Sequence, residues 1–595
     1  MKLPNLKTPI YSLVGVCLLG LSGIAQTPEA KAIERDAATT APVATAVRAT
    51  SYSPTDLNRV GVQTAQPVSL SLADAIRRAL ENNNDLEISR DDVRIQKTRV
   101  TSLEGVYDPV FTMTPTFSST SNAFQSRTHD FRANAGLNQF IKPGGGTISS
   151  FFNNSRTESA FAQAQATSGS LTSSTSSALF SSNLGVNYTQ PLWRNFRYDS
   201  RRHSIYVARK NLEQTESDFR LSGTNTITNV QRAYWDFVFA LRNQQNVVAN
   251  VDLAKENLRQ IEFKIQAGAA APLERAEVAT ELANRQGDLL LATQQVGIAE
   301  NALKQLIIRD PLSVEWTESF TPTDPPAFSL NPVNLDDAMK DAMDNRFELR
   351  RLKLQQEINK SDIKYYKNQT KPQIDLNTSF SLNGLASGGT APGATTSNLL
   401  TGSQDVFLFN SINATRASLA LPPLVNPIVN IPAGSPFLFG NFGRSMANMF
   451  RPSAPNYSIG VTISFPFRNR TAKANLAGAE IQEHQLEAQV RGQENQVLVD
   501  VRNAVQAVET ARQRVVIAQQ ARENAEIQLA GEQKLYENGK STTFLLFQRE
   551  NELTNARNNE IRAQTDYNKA IADLQRVTAT SFRDNNIQVK DPLAP

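Results

Sequence analysis

The sequence predicts a mainly α-helical protein that also carries a membrane β-barrel section, organised as a tandem structural repeat. Three observations carry that prediction. A unit of roughly 240 residues recurs in register, apolar residues keep a seven-residue spacing over long stretches, and short runs of two-residue alternation interrupt them. With 20% charged and 40% hydrophobic residues, the 595-residue chain is not a disordered tail.

At the N-terminus, Lys2 and Lys7 precede an apolar run from Ile10 to about Leu21, followed by small residues. That order is a secretory signal peptide over 1–32, with cleavage after Ala25 or after Ala32. Cys17 does not read as a lipid attachment site, because Val16 stands where a small residue is needed. Cleavage removes the single cysteine, and with it any disulfide framework or thiolate metal site. It also lowers the formal charge from +4 to +2, which argues against a nucleic-acid partner. Residues 33–67, rich in Ala, Thr and Pro, read as a flexible extension. No later window of about eighteen consecutive apolar residues predicts a membrane-spanning helix.

The repeat follows. "LADAIRRALENNNDL" from Leu72 lies over "LDDAMKDAMDNRFEL" from Leu335, and the same shift of 263 places Pro109 over Pro372 and Phe117 over Phe380. A second block, shifted by 271, places Ala233 over Ala504, Gly268 over Gly539 and Leu303 over Leu574. The first repeat spans 68–310 and the second 333–580, joined by a linker over 311–332 and followed by a tail over 581–595.

Each repeat opens on a helix, 71–106 and 334–370, with Leu72, Ala75, Ile76, Ala79 and Leu80 on one face. At Pro109 and Pro372 the period becomes two, opening the strand-and-loop regions 109–192 and 373–467. Phe111, Met113 and Phe117 alternate with threonines and a serine; Ile374, Leu376 and Phe380 alternate with Asp375, Asn377 and Ser379. The return strands place Leu184, Val186 and Tyr188, and then Val461, Ile463 and Phe465, on the apolar side. Runs of about ten residues with one greasy and one wet face have the length that crosses a bilayer when tilted. "FRANAGLNQFIKPGGGTISSFFNN" reads as an additional hairpin turning at Gly144–Gly146, which either widens the barrel or stands above it. Residues 168–182 and 383–440 read as exposed loops.

After the strands come long helices, 197–266 and 470–537, each roughly 105 Å at about 1.5 Å per residue. Ile227, Val230, Tyr234, Phe237, Leu241, Val248, Val251, Leu258 and Ile265 keep a heptad spacing; Leu498, Val501, Val505, Val508, Val515 and Leu529 do so in the second copy. Turns at 267–271 and 538–542 end the rods, and the chain returns in helices 272–308 and 543–577. Gly268 and Gly539 suit a helix end that needs positive φ, while Pro272 and Thr542 suit a helix start.

Taken in this order, the repeat, the strand prolines, "RAYWDFVFA" at 232–240 and the glycine turns resemble the TolC-type outer-membrane efflux channels over about residues 68–580. The resemblance implies a homotrimer: one β-barrel in the outer membrane, continuous with a periplasmic α-barrel of coiled-coil helices, in a Gram-negative-type envelope. It implies outer-membrane lipid around the strands, and a periplasmic adaptor with an inner-membrane pump or ABC exporter as partners. Four strands from each of three copies make a twelve-stranded barrel, wide enough to leave a water-filled bore.

By the same resemblance the periplasmic tips, Gly268, Ala269, Pro272, Gly539, Lys540 and Thr542, close the duct and dock the adaptor. Family members often carry acids six and nine places past the second tip glycine, where this chain has Leu545 and Gln548. The first repeat has Glu274 and Glu277 instead, and Glu274 is expected to pair with Lys540 across the tip. These five residues are the candidate gate. No phosphate loop, nucleophile elbow or histidine cluster indicates catalysis or a cofactor. The alternative to a channel is an exported coiled-coil stalk, spacer or adhesin, which explains the heptads but not the amphipathic strands.

Overall fold

The computed structural model describes residues 63–122, 125–158, 178–268, 271–389, 391 and 393–588. The expected signal peptide, most of the extension and Ala269 lie outside them. In chain order the first half contains β1 (Gln63–Leu70), α1 (Leu72–Asn82), α2 (Asn84–Glu104), β2 (Val110–Asn122), β3 (Gln125–Phe140), β4 (Thr147–Glu158), β5 (Ala178–Pro191), α3 (Ser200–Gln266) and α4 (Pro272–Ile307). The second contains β6 (Glu318–Pro322), α5 (Leu335–Asn345), α6 (Phe347–Gln369), β7 (Gln373–Ser387), β8 (Thr395–Asn398), α7 (Ser403–Ser418), β9 (Ile428–Ile431), α8 (Phe442–Asn448), β10 (Pro455–Ser464), α9 (Arg470–Glu537), α10 (Thr543–Val577) and α11 (Ser581–Asp584).

The two rods, α3 and α9, have 67 and 68 residues, so each is about 100 Å long. Asp199 starts α3 by accepting the Arg202 N–H at 2.7 Å and holding its guanidinium at 2.7 Å. Helices 71–106 and 334–370, expected to be continuous, are each broken. At Asn83 the backbone turns extended and the side chain accepts the Leu86 N–H, capping a new helix. At Arg346 the backbone is again extended, and the buried guanidinium reaches Asp500 on α9 at 2.9 Å.

Apolar spacing decides the packing. Ala75, Ile76 and Ala79 of α1 bury against Ile227, Val230, Tyr234 and Phe237 of α3 and Val296, Leu303 and Ile307 of α4. Each large side chain so buried contributes about 1.5–3 kcal/mol. Ala338, Ala342, Val497, Val501 and Val577 form the matching core of the second half. Lower on α3 the heptad drifts, as a 3.6-residue turn must: Val248 is 38% exposed, while Ile261, outside the heptad set, is buried.

The expected extension and linker are partly ordered. Their residues form β1 and β6, which pair in parallel across the rods. Buried Lys304 draws the second strand in by donating to the Trp316 and Glu318 carbonyls, and Glu300 accepts the Phe320 N–H at 2.8 Å. Tyr234 locks the crossing through the Leu70 carbonyl at 3.2 Å and Asp324 at 2.9 Å. The start of the tail joins them, with Phe582 packed onto this core.

Six strands, not four, form the main sheet, in the order β10-β7-β5-β4-β3-β2 with every pair antiparallel. The additional hairpin turns at Gly144 and Gly145, both at positive φ, and lies within the sheet between β2 and β5. The expected loop over 383–440 contains the end of β7, the helix α7 and the β8–β9 pair.

Candidate functional site

Register sorts the six strands into two faces. Phe111, Met113 and Phe117 stand opposite Leu137, Ala135 and Phe131. Phe152 stands opposite Leu184, Ile148 opposite Tyr188, and Val186 opposite Phe380. Tyr457 stands opposite Phe380, Val461 opposite Leu376 and Ile463 opposite Ile374. The strand positions read from sequence thus fall on one face, since side chains alternate with period two. Phe465 is the exception: β10 ends at Ser464, ahead of Pro466, whose missing N–H cannot continue a ladder.

The opposite face carries Thr112, Thr114, Asn134, Ser149, Asn187, Asn377, Ser379 and Thr462, tied across strands by pairs such as Ser379–Ser458 at 2.7 Å and Asn377–Thr462 at 2.8 Å. At the end away from the rods, α8 covers the apolar face. The Ser445 hydroxyl donates to the Gly384 carbonyl at 3.0 Å, and a Cβ at Gly384 would stand 1.9 Å from the Ser445 oxygen. From Ile374 to Leu382 the apolar face is open for about 30 Å along the strand, or roughly 22 Å of depth at 45° tilt. Phe111, Met113, Ile459 and Ile463 are each more than 60% exposed there, a load of grease that suits lipid rather than water.

The rods end in the expected turns. Gly268 has φ +71° and Gly539 +70°. At the second tip the Gly539 N–H donates to Tyr536 and the Lys540 N–H to Leu535, the double bond of a Schellman cap. Pro272 is the first residue of α4, and the Thr542 hydroxyl accepts the Leu545 N–H at 3.3 Å. Lys264 and Tyr536 join the two tips, the ammonium 4.4 Å from the ring.

Glu274 does not pair with Lys540. It sits in the first turn of α4, and its carboxylate turns back to accept the Ala271 N–H at 3.3 Å. Glu277, Lys540, Leu545 and Gln548 are exposed, and Gln548 reaches Glu552 on its own helix. A cleft of about 470 Å³ lies beside them, lined by Glu277, Glu281, Phe544 and Phe547.

What holds α4 to α10 is a pair that the sequence reading missed. Buried Arg285 bonds Glu550 at 3.0 Å, Glu281 at 2.8 Å and the Asn250 carbonyl at 3.2 Å, and Asn257 adds a further bond to Glu550. Neither position repeats in the other half, which has Ala556 and Ala279 there, so the tandem pattern gave no signal.

A sheet with a lipid-matched face and a hydrophilic face, carried on two long helices that both run from the sheet to a glycine turn, defines the class: an outer-membrane channel protein. The outer membrane efflux protein family matches residues 157–307 and 438–580. The chain belongs to that family, whose members are channels rather than enzymes, and its place is the outer membrane. Solved structures agree in fold. The Campylobacter jejuni CmeC outer membrane channel is 13% identical, with TM-score 0.54 over 87% of this chain and 90% of that one. VceC of Vibrio cholerae is 14% identical, TM-score 0.53, over 85% and 95%; the open MtrE channel of Neisseria gonorrhoeae is 15% identical, TM-score 0.54, over 85% and 88%. No curated protein matches the chain by sequence.

Proposed function

We propose that three copies of this chain form one continuous duct that passively conducts substrates from a periplasmic adaptor and an inner-membrane pump or ABC exporter to the exterior. The observation that carries this reading is the six-strand register, which turns most of the large apolar side chains to one side and most of the Thr, Ser and Asn to the other. A closed ring of such sheets meets lipid outside and water inside. The tandem halves supply two rods per copy, and their repetition around an axis gives the helical wall below.

The tips are the gate and the docking site. Gly268, Ala269, Pro272, Gly539, Lys540 and Thr542 form the adaptor-facing turns. Phe544, Leu545 and Gln548 narrow the bore, with Glu274 and Glu277 beside them, and the Arg285–Glu550 pair keeps α4 and α10 together in the closed state. Selection of cargo belongs to the pump, since a bore lined by Thr, Ser and Asn discriminates little between solutes.

Fractionation tests this reading. The account expects an outer-membrane protein, extracted only by detergent, that migrates as a heat-modifiable trimer. A soluble periplasmic rod would instead establish the exported scaffold.

A further inference from the structure

Resting on the trimeric channel reading, we propose that the membrane section closes as an eighteen-stranded barrel, six strands from each of three copies, with β10 of one copy seated on β2 of the next. The partner at both sheet edges is a second copy of this chain.

Direction permits the closure. With every neighbour antiparallel and an even number of strands, β2 and β10 run in opposite senses, so edge meets edge as an antiparallel pair.

The chain also contains a template for the register. Where its first half meets its second, β5 pairs with β7: Val186 faces Phe380, Tyr188 faces Thr378, and the Leu192 N–H donates to the Ile374 carbonyl. The junction between copies is the same junction, one half further on. Aligning Pro191 with Pro466 and Pro109 with Pro372 carries these pairs to Val461 on Phe117, Ile463 on Pro115, and Phe467 on Phe111. Each lands apolar face on apolar face, with one ladder bond missing where Pro115 has no N–H, whereas a one-residue slip would set Thr116 and Thr462 into the greasy face.

Widths agree as well. In the half nearest the sheet each copy offers four helices, α2, α3, α6 and α9, an arc of about 36 Å at roughly 9 Å per helix. Six strands about 4.8 Å apart at about 40° tilt span about 38 Å, against about 25 Å for four. The β3–β4 hairpin is bonded on both sides and tightly seated, a Cβ on Gly185 falling 2.6 Å from the Phe151 ring. Eighteen strands give a backbone radius of about 18 Å, against about 12 Å for twelve. The membrane section is then as wide as the helical duct, so cargo too bulky for a twelve-stranded bore passes it.

Paired cysteines test this, since the processed chain has none of its own. Thr116 and Thr462 fall opposite each other at a non-hydrogen-bonded position, where β-carbons come nearest. Thr116→Cys with Thr462→Cys should give disulfide-linked dimers and trimers on a denaturing gel, removed by reductant. Thr112→Cys with Asn187→Cys reports the twelve-stranded alternative, because those positions meet only if the hairpin leaves the sheet. Here two strands separate them by about 14 Å, so no bond is expected. Native mass of each variant in detergent separates the failures. A trimer that links Thr112 to Asn187, or links neither pair, overturns the eighteen-stranded closure alone; a monomer overturns the trimeric channel beneath it.

Discussion

Arg285 and Glu550 show what a single residue decides in this molecule. Each is a charge taken out of water, stable only because the other is 3.0 Å away and Glu281, Asn250 and Asn257 satisfy the rest. Glu550→Ala should cost less than the about 3–5 kcal/mol of a fully orphaned buried charge, because Glu281 still holds the guanidinium. In membranes it should appear as raised leakage through the tips, while Arg285→Met with Glu550→Leu restores the closed state. Unchanged leakage in the single variant would remove the pair from the gate. At the crossing of β1 and β6, Tyr234→Phe removes one donor from the Leu70 carbonyl and from Asp324, which keep the Thr323 and Leu72 N–H groups, and takes the acceptor from the Asp324 N–H. A loss of about 1–3 kcal/mol is expected in thermal melts. Neither set of contacts was legible in sequence. Arg, Glu and Tyr on a helix read as solvated or packed until the partner helix is placed, and both partners lie far along the chain.

Among the elements, the turns were the most legible part and the strand count the least. Gly268 and Gly539 announced themselves because a helix that stops and restarts needs positive φ, a demand local enough for sequence to carry. Gly539→Ala should cost about 1 kcal/mol and loosen the second tip, read as faster limited proteolysis at 538–542; equal cleavage would mean the turn tolerates strain. The breaks at Asn83 and Arg346 were hidden, since apolar spacing continues through them and only a cap or a cross-helix ion pair interrupts the backbone. In β3 the alternation is blurred by Ala133, Ala135 and Gly136, so its place in the sheet had to come from pairing.

Charge fastens α9 to α10 in its own way. Arg557, with Arg522, holds the Glu526 carboxyl below its ordinary value of 4.5, chiefly through the hydrogen bond from Arg557. A depressed carboxylate stabilises the fold above its unfolded pKa and loses that contribution as pH falls through the folded value. Melting temperature should therefore drop below about pH 4.5, and Glu526→Gln should flatten that drop; an identical acid profile in the variant would exclude this carboxylate.

Across the whole molecule, what matters is continuity between a wall of helices and a wall of strands. The heptads made the long helices visible, and alternation at Phe111, Val186, Phe380 and Val461 made the apolar face of the sheet visible. The proposed assembly was less so, because it rests on how repeated junctions would translate from one copy to the next, not on any one segment. The central claim is that this assembly conducts, and single-channel recording of the purified, detergent-extracted protein in a planar bilayer tests it most directly. The account predicts discrete steps that are small in the wild type and increase when Glu550→Ala or changes at Leu545 loosen the tips. A folded trimer that never conducts, with the tips loosened or intact, would contradict it.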